Sequence, residues 1–249
     1  YKILFESIPT RSVRLIISPD GSYFPFEALV FSSKNGRPEY LLGAQVISYT
    51  YSARFLLFAD SSVSTATGNF LGLAPVTYPD SFHLAELPGS DFSVQRIAHS
   101  IWSGVTLTGA KATKEIFMQE FARYTVNQLY THASDSSDRQ EPVIYFHDAP
   151  LYLSELIPET RPATKLIVLS ACETGRGRVY EGEGAFTLNR GFAAMGIYSS
   201  VTNLWAVNTR SAYSIAELFY KYMQKGMPLD LALQKAKLEF MNDESGENK

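Results

Sequence analysis

The sequence predicts an α/β fold, a mainly parallel central sheet covered by helices on both faces, with a β-rich subregion at the N-terminus. Three observations predict it. Short apolar, β-branched runs alternate with segments whose apolar residues recur at helical spacing, the signature of βαβ units. One run, LIVL at 166–169, is unbroken by a polar residue, as a strand buried on both faces must be. The composition, 45% hydrophobic and 19% charged over 249 residues, is that of a globular chain large enough to bury a core without disulfide or metal staples.

Taken in order, VRLIISP (13–19) is a strand closed by the turn signal Pro-Asp-Gly. FPFEALVF (24–31) follows, then the polar Gly-Pro stretch SSKNGRPEY. VISYTYS (46–52) alternates like a half-buried strand, and SARFLLFA after it starts a helix. SSVSTATGN (61–69) is rich in small polar residues and reads as a loop or linker. Residues 1–68 are therefore taken as the β-rich subregion, 69–241 as the core and 242–249 as a frayed polar tail of one domain.

The core opens with the strand NFLGLAP (69–75). DFSVQRIAHSIW (91–102) is a helix with Val94, Ile97, Ala98 and Ile101 on one face. VTLTG (105–109) is a short strand. KATKEIFMQEFARY (111–124) is an amphipathic helix, with Ile116, Phe117, Phe121 and Tyr124 along its apolar side. NQLYTHAS (127–134) is a strand ending in polar residues, and VIYFHDA (143–149) is a hairpin or edge element. The buried strand TKLIVLSAC (164–172) follows, then a helix over 183–196 closed by Gly196 and a strand over 198–205. Helices over 209–226, stopped by Gly226, and 228–241, with Pro228 near the first turn, complete the chain.

The net charge of −3 gives no electrostatic footprint for nucleic acid or an anionic membrane surface, and no apolar run reaches the ~20 residues that span a bilayer. A lone Cys permits no internal disulfide, and a reducing, cytoplasmic setting is expected. The start, YKILFES, has neither a basic leader region nor an initiator Met and reads as a fragment cut from a longer protein. No CxxC, HExxH or GxxxxGK[ST] pattern occurs, so no metal and no cofactor is expected.

In parallel sheets functional groups collect beyond the carboxyl ends of the strands. Cys172 stands there, where LIVLSA stops and the Gly-rich loop GRGRVYEGEG (175–184) begins. A thiol of ordinary pKa ~8.5 needs a base. Among the four His residues, His99 falls within a helix and His83 in a loop, while His147, followed by Asp148, stays a live rival. His132 has the best placement, at the carboxyl end of the strand before the Cys strand.

SACETG with the downstream GEG and NLW blocks, together with VRLIISPDGSYFPFEALVF, LGLAP, LTGAKATKEIF and NQLYTHAS in that order, resembles the CHAT domain. That family is a caspase-like cysteine peptidase module, related to separases and caspases and often found after tetratricopeptide repeats. The resemblance runs from about Val13 to Met241. It implies a caspase-like three-layer sandwich, a catalytic dyad of His132 and Cys172, and a protein or peptide substrate. It also implies oxyanion donors from the backbone of Cys172 and of Ala133, where the family usually has Gly; an Ala there restricts the backbone and narrows the approach. A tetratricopeptide-repeat region or regulatory partner outside the fragment is expected, with no direct nucleic-acid partner and no membrane.

Substrate-binding candidates are Glu173, Glu183, Trp205 and Asn208, with the WAVNT segment as a pocket wall. Thr209 stands where relatives carry an acid, which argues against a strongly basic P1 preference, although Asp135 or Asp138 can compensate. Arg176 and Arg178 are candidate processing points, and 134–142 a candidate lid. Two other readings stay open: a catalytically weak scaffold that recruits partners, and a thiol hydrolase of small esters or amides.

Overall fold

In the computed structural model, the described residues are 14–19, 24–34, 36–58, 68–100, 104–134, 141–156, 161–170, 178–180, 184–186, 188–203 and 207–247. The chain divides into two compact units, one formed by 1–20, 24–56 and 214–249, the other by 21–23 and 57–213.

In the first unit, β1 (Arg14–Ile17) precedes a hairpin of β2 (Val30–Lys34) and β3 (Arg37–Tyr40). Gly36 makes this turn at φ 74°, a conformation that only glycine adopts without strain. The polar Gly-Pro stretch is thus a hairpin, tolerating Pro38 because a two-stranded ribbon has open edges. A short helix α1 (Leu41–Ala44) leads into β4 (Val46–Tyr49), which pairs parallel with β1, and α2 (Ala53–Phe58) follows.

The second unit is built on β5 (Gly68–Ala74), α3 (Ser90–Ser100), β6 (Gly104–Thr108), α4 (Lys114–Glu120) and β7 (Tyr124–Tyr130). Three short strands come next, β8 (Ala133–Ser134), β9 (Val143–Tyr145) and β10 (Pro150–Tyr152), forming an antiparallel sheet in the order β10-β9-β8. The chain continues through β11 (Leu166–Ser170), the ribbon of β12 (Arg178–Tyr180) and β13 (Gly184–Phe186), α5 (Leu188–Ala194) and β14 (Ser199–Thr202). Helix α6 (Thr209–Gln224) begins in this unit, and α7 (Leu229–Glu247) belongs to the first. The last helix continues past Met241, where the apolar pattern ends.

The central sheet has the order β14-β11-β7-β5-β6, with every pair parallel. Its two faces follow the alternation of the strands. Leu71, Leu73, Leu129, Ile167 and Leu169 point to one side, where they pack with Phe117 and Phe121 around α4 and with Leu188 and Phe192 of α5. Phe117 stacks on Phe121 and on Phe146, each at 5.0 Å between ring centres. Phe70 and Gly72 point to the other side, against Val94 and Ala98 of α3. The sheet is therefore covered by helices on both faces, the three-layer α/β sandwich that the alternating pattern implies.

Two expected helices are shorter than their patterns. The segment 111–124 is helical over Lys114–Glu120, with 3-10 turns at Gly109–Lys111 and Phe121–Arg123 on either side. The carbonyl of Phe121 accepts hydrogen bonds from Asn127 Nδ2 (2.9 Å) and Thr164 Oγ1 (2.6 Å) instead of a following helical turn. Likewise 184–186 pairs in a ribbon with 178–180, so the helix expected from 183 starts at Leu188.

Candidate active site

The chain enters the sheet at β5, steps outward to β6, then returns past β5 to lay down β7, β11 and β14. The strand order reverses between β5 and β7, and a ligand crevice in an open parallel sheet forms at the carboxyl ends beside such a reversal. The ends of β7 and β11 are level, because Tyr130 is in register with Ser170. His132 stands two residues beyond Tyr130, and Cys172 two residues beyond Ser170 in the sequence. Cys172 itself lies outside the described residues, as do Glu173, Glu183, Trp205, Asp135, Asp138 and Arg176.

His132 is held by the segment that leaves β5. That segment opens with a three-residue turn in which Thr77 N donates to Pro75 O (2.8 Å). Val76 at its centre has φ 66°, a costly conformation for a β-branched residue. The segment then runs through a 3-10 turn at Asp80–Phe82, and Leu87 N returns to Val76 O (2.8 Å). From it the Ala85 carbonyl contacts His132 Nε2 at 2.8 Å. A carbonyl oxygen can only accept, so Nε2 is the protonated nitrogen of the neutral ring and Nδ1 carries the lone pair. The Tyr78 ring meets the imidazole edge to face, 5.1 Å between centres at 62°. Burial pushes the Tyr78 phenol up to about 12, against polar interactions with Thr131 and the His132 backbone that lower it, so it stays neutral.

The residue after His132 is set by the small antiparallel sheet. Ala133 is opposite Ile144, while His132 O accepts from Tyr145 N at 2.9 Å. Ala133 therefore occupies a non-hydrogen-bonded position, and its N–H points away from β9. Ala133 is 6% exposed and belongs to the apolar core with Ile144 and Phe146. Ala133 has no positive φ that would favour glycine.

The rival His147 has a different occupation. Its Nδ1 contacts Thr77 O at 3.1 Å and its backbone N donates to Ala112 O at 3.1 Å, so it ties the β9–β10 turn to two neighbouring segments. Asp148 accepts from Lys114 N at 2.9 Å, at the start of α4. Asn208 is exposed, and its Oδ1 accepts from Arg210 N (3.0 Å) and Ser211 N (3.4 Å), capping α6, whose first residue is Thr209. Arg178 begins β12.

Sequence reasoning missed Tyr78, Thr131 and the Ala85 carbonyl. Thr131 could have been noticed, as it is the polar residue between the apolar strand and His132. A backbone carbonyl 47 residues from its partner leaves no mark in residue types. Among the described residues no group of three or more His, Cys, Asp or Glu side chains is placed to hold a metal ion. No helix among them is long and apolar enough to cross a membrane.

Comparison with protein families gives a match to the CHAT domain model over residues 1–248. No curated protein matches the chain.

Proposed function

From the premise that this chain belongs to the CHAT-domain family, a caspase-like family, we propose that it is a cysteine endopeptidase in which Cys172 is the nucleophile and His132 its acid–base partner. The observation that carries the reading is the His132 environment. The Ala85 carbonyl holds the proton on Nε2, which leaves Nδ1 as the base, in a ring fixed at the level strand ends of β7 and β11. A base pinned by a second group is the general logic of nucleophile activation.

In this reading Nδ1 takes the proton of the Cys172 thiol, and the thiolate adds to the scissile carbonyl carbon. The carbonyl oxygen gathers negative charge facing the N–H of Ala133 and that of Cys172. Collapse of this intermediate breaks the C–N bond, and the imidazolium returns its proton to the departing amine. A water molecule, deprotonated by the same Nδ1, then hydrolyses the thioester and restores the thiol. The outward N–H of Ala133 supports the donor role, and its buried methyl removes one motive for the scaffold reading. The substrate is a protein or peptide, and control falls to a regulatory partner.

Cys172 is the sole cysteine, so thiol labelling reports on it alone. A peptide electrophile labels Cys172 faster than it labels an ordinary surface thiol, and His132→Ala abolishes the difference. A peptide library is cleaved by the full-length protein and left intact by its Cys172→Ala variant. Labelling at the ordinary thiol rate, in folded protein supplied with any activator, refutes the reading.

A further inference from the structure

Thr131 and His132 are both tied to Tyr145, in a chain of hydrogen bonds that begins at Tyr78. The Tyr145 carbonyl accepts from the Thr131 hydroxyl, and since a carbonyl can only accept, the Thr131 proton is committed to it. The 2.9 Å contact between Thr131 Oγ1 and the Tyr78 hydroxyl must then run from Tyr78 to Thr131. Tyr145 in turn holds His132 by its other backbone group, its N donating to His132 O at 2.9 Å.

We propose that Tyr78 is a positioning residue for His132, its hydroxyl fixing the preceding Thr131 and its ring the imidazole plane; this deepens the catalytic reading above and rests on it. Three elements meet in this chain: the segment after β5 gives Tyr78, the end of β7 gives Thr131 and His132, and β9 gives Tyr145. The segment after β5 touches the imidazole twice, at its face through the Tyr78 ring and at Nε2 through Ala85 O. The tilted contact of Phe82 with Tyr145, 5.7 Å between ring centres, braces that segment against β9. The phenol keeps its proton throughout the neutral range, so the direction of the bonds from Tyr78 through Thr131 is constant there. A hydroxyl in this place aligns the base without taking part in proton transfer.

The test uses alkylation of Cys172 by iodoacetamide in the full chain, with rates at about pH 7 and about pH 10, below and above the ordinary thiol pKa. Near pH 10 the thiol ionises without help, whereas near pH 7 reactivity depends on an aligned base. Tyr78→Phe keeps the ring and deletes the hydroxyl. It is expected to lower the pH 7 rate about threefold to tenfold, the loss of roughly one buried hydrogen bond, and to leave the pH 10 rate unchanged. Thr131→Val breaks the same chain of bonds at its middle with little change of shape and gives the same pattern, which serves if Tyr78→Phe does not fold. A merely structural role lowers the melting temperature and leaves the ratio of the two rates as in wild type. That ratio, unchanged in folded Tyr78→Phe or Thr131→Val while His132→Ala alters it, overturns the proposal alone. If His132→Ala leaves the ratio unaltered, the catalytic reading fails and takes this proposal with it.

Discussion

An Ala133→Pro substitution removes one backbone N–H from the chain. At most positions in a sheet this would break a ladder bond, but Ala133 sits opposite Ile144 in a non-hydrogen-bonded pair on the edge strand β8. The folding cost comes from the ring instead. Ala133 is 6% exposed, so the added ring carbons crowd the core and cost about 1–3 kcal/mol. If this N–H stabilises the oxyanion, its loss raises the barrier to hydrolysis by about 3–4 kcal/mol, on the order of 10²–10³ in rate. Two assays separate the effects. Peptide hydrolysis passes through an oxyanion, whereas alkylation by iodoacetamide displaces iodide in one step and forms none. The proline variant is expected to cleave a library-selected peptide at least about 100-fold more slowly while alkylating Cys172 at the wild-type rate. Ala133→Gly keeps the N–H and loses a buried methyl. It should be about 1–2 kcal/mol less stable, as active as wild type, and folded in the same assay. A folded proline variant that cleaves at the wild-type rate refutes the assignment of Ala133 as a donor.

Two further predictions concern the scaffold. A Cβ added at Gly72 would lie 2.2 Å from Val94 Cγ2, and a helical valine has little freedom to move its methyls away. Gly72→Ala should therefore cost about 1–3 kcal/mol in urea unfolding, and Val94→Ala in the same chain should recover part of it, with a coupling of about 0.5–3 kcal/mol; strictly additive losses would contradict the close packing of α3 on β5. In the first unit, burial pushes the Glu27 carboxyl up, but the Lys237 ammonium (3.0 Å) and the Tyr49 hydroxyl (2.5 Å) more than offset this and hold it below its ordinary value. A lowered carboxyl contributes stability above its unfolded pKa and loses it as pH falls through the folded one. Lys237→Met should cost about 1–3 kcal/mol at neutral pH, less than a fully buried pair because the two side chains are 31% and 18% exposed. The difference from wild type should shrink once acid protonates Glu27, and a gap that is constant with pH would count against the ion pair.

Much of this protein is decided locally and was legible in the sequence. The strand at 166–169 is set by LIVL, which can only be buried on both faces. The helix at 90–100 is set by Val94, Ile97 and Ala98 on one side. Alternation of such segments entails a parallel sheet between helices, and the place of His132 just past a strand end follows from the stop after NQLY. These features depend on residues within a turn or two of one another, so periodicity and hydrophobicity determine them.

The tertiary structure decided what depends on distant partners. The helix pattern at 111–124 was cut short because Asn127 and Thr164 capture the Phe121 carbonyl from outside the helix. His147 and His132 are alike as sequence, each beside a strand end; only folding assigns Thr77 O to one and Ala85 O, with Tyr78, to the other. The tautomer of His132 hangs on a backbone carbonyl, a group every residue possesses. The effect of Ala133 turned on which way its methyl and its N–H point, which the register of a two-residue strand fixes. In each case the deciding contact joins groups that folding alone brings together, and one or both of them belong to the backbone, so the pattern of residue types carries no trace of it.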